Sequence, residues 1–109
     1  MKIKLKQTCG ACPEAYDVFL PDNTYIGYLR LRWGSFTATV DSHEDYTHPD
    51  YTRVVRYSNW DKNPVGDGMF EDSEREYFLT AGVAALHKHY LETFFETTYL
   101  EKFELEVVY

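Results

Sequence analysis

Hydrophobic period changes cleanly along this chain, and the change fixes what it can fold into. From Met1 to about Tyr57, apolar residues recur at every second position. From Ser73 to about Phe95 they recur at helical spacing. From Glu101 to Tyr109 the two-residue period returns. One long helix set among strands predicts an α+β domain: an antiparallel sheet of about five or six strands with the helix packed on one face. A chain of 109 residues suits one domain, residues 1–109, with one core.

The strands are read from alternation. Ile3 and Leu5 alternate with Lys2, Lys4 and Lys6, and Tyr16, Val18 and Leu20 follow in the same way. Residues 21–24, Pro-Asp-Asn-Thr, make a turn. Tyr25, Gly27, Leu29, Leu31 and Trp33 share one face of the strongest strand, with Tyr28, Arg30 and Arg32 on the other. Gly34-Ser35 predicts a hairpin turn into Phe36, Ala38 and Val40. Residues 53–57 read as a short strand. In the last strand Phe103, Leu105 and Val107 alternate with Lys102, Glu104 and Glu106. The acidic face of that strand matches the Lys face of the first, so the two are expected to be neighbours. Ser73-x-x-Glu76 has capping-box spacing at the helix start.

Two long stretches between these elements, residues 41–51 and 59–71, lack any period and read as surface loops. With Asp72 just beyond the second, they gather Asp41, Glu44, Asp45, Asp50, Asp61, Asp67 and Glu71, interleaved with Tyr46, Tyr51, Trp60 and Phe70. Charges in such loops steer a partner and exposed rings anchor it. Glu44, Asp45, Tyr46, Tyr51, Trp60, Asp61, Asp67 and Phe70 are therefore the expected partner-binding residues, and the expected partner is a protein with a basic surface. The alternative is that the charges only solvate the loops and the rings pack on the core.

The other chemistry-bearing residues point away from catalysis. Cys9-Gly-Ala-Cys12 is a C-x-x-C, but the residues after it read as strand, whereas a redox pair of this kind sits at a helix N-terminus. A zinc-stabilised domain using Cys9 and Cys12 needs two more ligands. His87 and His89 diverge by about 200° on the helix, and His43 and His48 are loosely spaced. Two reduced thiols in a strand-connecting loop are the expectation, with no metal and no cofactor. Residues 61–72 partly resemble a calcium loop but carry Val65 where an oxygen ligand belongs. No nucleophile elbow or phosphate-binding glycine loop occurs. The expectation is a protein that is not an enzyme.

A net charge of -7 argues against general nucleic-acid binding. A nucleic-acid-associated sheet, using Arg30, Arg32 and Tyr28, is the remaining alternative. No apolar run reaches the length of a membrane span, and the first residues lack a signal-peptide core, so a cytoplasmic location is expected.

Three segments, residues 16–19, 27–36 and 66–77, together resemble small phage and prophage proteins of Gram-positive bacteria, a likeness covering most of residues 1–90. The resemblance implies an accessory protein that binds a host protein, including an anti-CRISPR-like inhibitor of a host defence factor. It brings no catalytic residues to carry over.

Overall fold

The computed structural model describes residues 1–9, 14–42, 47–59, 63–66, 68–95 and 102–108. Its elements are β1 (Lys2–Cys9), β2 (Glu14–Phe19), β3 (Tyr25–Arg32), β4 (Ser35–Asp41), β5 (Arg53–Ser58), α1 (Asp72–Phe94) and β6 (Glu104–Val108). Among the described residues, six strands form one sheet in the order β5-β4-β3-β2-β1-β6. The α+β architecture is the one expected from the period change.

The sheet is mixed rather than wholly antiparallel. Four pairs are antiparallel, and β1 pairs β6 in parallel. The reason lies in the connections. Four antiparallel pairings leave β5 pointing the same way as β1, and α1 then carries the chain back along the sheet. The returning β6 must run with β1. Its register sets Lys2 beside Glu104 and Lys4 beside Glu106, the neighbour relationship that the alternating charges predict.

The helix lies over β3, β4 and β5. Its stripe of Phe78, Leu79, Gly82, Val83 and Leu86 is buried against Leu29, Leu31, Phe36 and Ala38. Gly82 lets the helix approach closely: a Cβ there would stand 2.8 Å from Leu29 Cδ2 and 3.0 Å from Phe36 Cζ. Gly27 does the same from the sheet, where a Cβ would meet Leu86 Cδ2 at 2.6 Å and the Thr39 carbonyl oxygen at 2.8 Å. Phe70 stacks on Phe78 with ring centroids 5.2 Å apart, and both meet Phe36 edge-on.

The helix begins two residues earlier than Ser73-x-x-Glu76 suggests. The N-cap is Glu71, whose backbone N–H donates to Glu74 Oε2 at 2.9 Å. Glu74 is buried because its carboxylate also accepts the backbone N–H groups of Val65 (2.7 Å) and Gly66 (3.0 Å), which folds the preceding loop onto the helix end. A carboxylate at this end also matches the positive pole of the helix dipole.

Candidate interaction surface

Helix packing covers one face of the sheet, and the alternation of β-strands dictates what the other face displays. Gly27 and Leu29 point at the helix, so Tyr28, Arg30 and Arg32 point away. Register brings neighbours onto the same face. Asp17 and Thr39 flank Tyr28; Ala15 and Thr37 flank Arg30; Lys6 lies next to Asp17. At the β5 side Arg53 stands 4.6 Å over the Tyr28 ring, a cation–π contact, and 3.9 Å from Asp41. At the β2 side Phe19 meets Tyr25 edge-on at 5.7 Å.

Six of the 11 basic residues, Lys2, Lys4, Lys6, Arg30, Arg32 and Arg53, belong to this face. Against them, among the described residues, stand Asp17, Asp41, Glu104 and Glu106, so the described part of the face carries an excess of basic side chains. Burial holds the Asp17 carboxyl above its ordinary range, against the opposing pull of Lys6 and Arg53. Burial likewise pushes the Tyr25 phenol up, with Asp41 and Asp17 adding to it. The Tyr51 hydroxyl holds the Arg53 guanidinium above its ordinary value and donates to Asp41 Oδ1 at 2.6 Å. In the centre, Arg30 Nε and Thr39 Oγ1 are buried with no hydrogen-bond partner among the described residues. Unpaired buried polar atoms are uncommon in folded proteins and call for an explanation.

The β3–β4 hairpin ends this face with an unusual residue. The turn is Trp33-Gly34 rather than Gly34-Ser35, since Arg32 pairs directly with Ser35. Trp33 therefore leaves the strand face assigned to it by alternation. It is 81% exposed at the tip, and its φ is 56°. A two-residue hairpin wants a left-handed residue at both positions, and Gly34 (φ 72°) suits it. A bulky side chain there is strained. Arg32 lies 5.6 Å from the Trp33 ring. Behind the tip, the buried Asn59 accepts the Phe36 N–H at 2.9 Å and donates to the Gly34 carbonyl at 3.2 Å, clamping both sides of the turn. The signal for Trp33 in the sequence is the Trp-Gly pair between Arg32 and Ser35, a two-residue loop hidden by an otherwise continuous alternation.

Of the eight partner-binding residues expected from sequence, Glu44, Asp45, Tyr46, Trp60, Asp61 and Asp67 lie outside the described residues. Tyr51 is half-buried and tied to Asp41 at the rim of the open face. Phe70 is not an exposed anchor: it is 2% exposed and belongs to the aromatic centre of the core. The pull is its backbone, because the Phe70 N–H donates to the buried Glu14 carboxylate at 3.0 Å. Cys9 is exposed, and Cys12 lies outside the described residues. Among the described residues no three His, Cys, Asp or Glu side chains group as metal ligands, and no helix is long and apolar enough to cross a membrane.

The buried carboxylates look chemical but are occupied structurally. Glu14 accepts from Tyr16, Phe70 and, twice, from Arg75, while Glu74 accepts three backbone N–H groups. Fold and surface together define a two-layer α+β domain with one aromatic and arginine-bearing sheet face left open by the described residues. No family model, curated protein or solved structure matches the chain.

Proposed function

We propose that the chain is a non-enzymatic binding domain that docks on a protein through its open sheet face and the Trp33 tip. The observation that carries this reading is the placement of Trp33. A tryptophan 81% exposed at a strained backbone position is unfavourable for the free chain, and among the described residues its ring meets only the Arg32 guanidinium. Trp, Tyr and Arg are also the residues that dominate binding energy at interfaces. Tyr28, Arg30 and Arg32 run along β3 in one line that ends at Trp33 in the turn, with Arg53 over Tyr28.

The local excess of Lys and Arg selects a partner patch that is acidic around an apolar centre. A basic patch, the complement of the loop residues 41–50 and 61–72, is a separate contact that this face does not require. Single-stranded nucleic acid fits the face less well. Arg53 occupies the ring of Tyr28 on which a base would stack, and Asp17 and Asp41 stand beside it. The resemblance to phage and prophage proteins makes a bacterial host protein, met in the cytoplasm, the partner to seek first; inhibition of a defence factor is the consequence such docking would have.

The test is capture from a Gram-positive bacterial lysate with four baits: the unaltered chain, Trp33→Asn, Arg30→Glu, and Lys88→Glu on the exposed helix surface. A protein retained by the first and last baits and lost from the other two supports the reading. Identical captures by all four, or none by any, overturn it.

A further inference from the structure

We propose that the free edge of β6 accepts an extended peptide segment of alternating basic and aliphatic residues as an additional strand. This does not rest on the open-face reading: it uses the edge of the sheet and shares only Glu104 and Glu106 with that face. Among the described residues β6 has one neighbour, β1, and the Glu104 N–H donates to the Met1 carbonyl at 2.8 Å. In a parallel ladder alternate residues bond to the same side, so Glu104 and Glu106 are committed to β1 while Leu105 and Val107 direct their N–H and C=O groups to the outer edge.

Side-chain chemistry says which strand fits that edge. The helix covers β3 to β5 and leaves β6 aside, so a groove of about 430 Å³ opens between them. Leu79, Phe103, Leu105 and Val107 give it apolar walls, and Asp72 and Glu76 make its helix side acidic. Arg75 lines it too, but its charge is engaged by Glu14 and Asp72. On the opposite face of β6, Glu104 and Glu106 are exposed. A strand added here would therefore set aliphatic side chains over the groove and cationic ones beside the two glutamates. β1 already shows the match from the other side: Lys2 and Lys4 beside Glu104 and Glu106, and Ile3 and Leu5 beside Leu105 and Val107. A second copy of β6 does not fit, because antiparallel self-pairing brings Glu104 and Glu106 against their equivalents. Main-chain bonds would supply affinity and the alternating side chains specificity.

The probe is a synthetic peptide with the sequence of residues 2–8, Lys-Ile-Lys-Leu-Lys-Gln-Thr, titrated into the isotopically labelled full chain and followed by backbone amide NMR. The expected result is saturable shifts at Leu105 to Val108 and at Leu79 and Thr80. The same peptide N-methylated on alternate amides along its pairing edge should bind at least roughly tenfold more weakly, and so should one with its three lysines replaced by glutamate. Altering the probe leaves the protein's own folding untouched. Three results overturn the proposal: no saturable shift at β6, equal binding of either altered peptide, or shifts centred on Tyr16 to Phe19, which would mark displacement of β1 instead of edge addition.

Discussion

Arg75 holds Glu14 through two parallel hydrogen bonds across 61 residues of chain, Nε to Oε2 at 3.0 Å and Nη2 to Oε1 at 3.1 Å. Glu14 is 1% exposed, at the start of β2, and Arg75 is in the first turns of α1. The pair fastens the helix N-terminus to the sheet. Arg75 also donates to the Phe70 carbonyl at 2.9 Å and pairs with Asp72, so the residues leading into the helix are fixed as well. The Glu14 carboxylate is the largest of the influences that hold the Arg75 guanidinium above its ordinary value.

Removing one partner strands the other. Arg75→Met should cost about 3 kcal/mol, because the Glu14 carboxylate stays buried with only Tyr16 and Phe70 as donors among the described residues. Adding Glu14→Gln to Arg75→Met should recover part of that loss, since the amide carries no charge. Urea unfolding of the two variants measures it, and a double variant less stable than the single one would refute the latch.

Close approach of helix and sheet gives a second expectation. Gly27→Ala forces a methyl against the Thr39 carbonyl oxygen and Leu86, and should cost about 2–3 kcal/mol. Gly82→Ala meets mainly the ends of Leu29 and Phe36, and its overpacking is offset by about 1 kcal/mol of helix propensity. Thermal unfolding should therefore rank Gly27→Ala well below Gly82→Ala.

Much of this architecture is legible in sequence because alternation reports which face a residue takes. Lys2, Lys4 and Lys6 against Glu104 and Glu106 even reveal two strands as neighbours across the whole chain. Direction is not encoded in that pattern, so the parallel β1–β6 pairing becomes visible only once α1 has been placed. Glu14 has the parity of Tyr16 and Val18 and thus belongs to the buried face, yet a charged residue beside a loop reads as surface until Arg75 is seen. Phe70 sits in a stretch without period, and only its backbone bond to Glu14 shows why it turns inward. Trp33 illustrates the opposite failure, since a perfect alternation continues into a turn.

Acid should weaken the fold through His89. Burial, with Arg56 adding to it and Glu92 opposing, holds its pKa below the ordinary value of 6.5. The unfolded chain takes up that proton near pH 6.5 while the folded chain resists, so the unfolded state binds more protons in the window below 6.5. Stability from this residue is present above pH 6.5 and lost as pH falls towards the lower folded value. His89→Gln should flatten the decline in melting temperature between pH 7 and pH 5 relative to the unaltered chain; an unchanged decline would contradict the assignment.

Asn59 should matter more than its single position suggests. Asn59→Ala leaves the Phe36 N–H buried and unpaired and frees the Gly34 carbonyl, for a loss of about 1–3 kcal/mol. The exchange of the Phe36 amide should quicken beyond the global change, as native-state hydrogen exchange would record.

The open-face account rests most directly on Trp33→Asn. Asparagine tolerates the left-handed conformation and makes an Asn-Gly hairpin, so this variant should be more stable than the unaltered chain by about 0.5–1 kcal/mol. The same change removes the exposed ring. Dissociation kinetics against the protein recovered by capture, measured alongside the melting temperature, separate the two effects. The account predicts a higher melting temperature together with dissociation at least roughly thirtyfold faster, the equivalent of about 2 kcal/mol for a dominant interface residue. A variant that is equally or more stable and dissociates at the unaltered rate would contradict it.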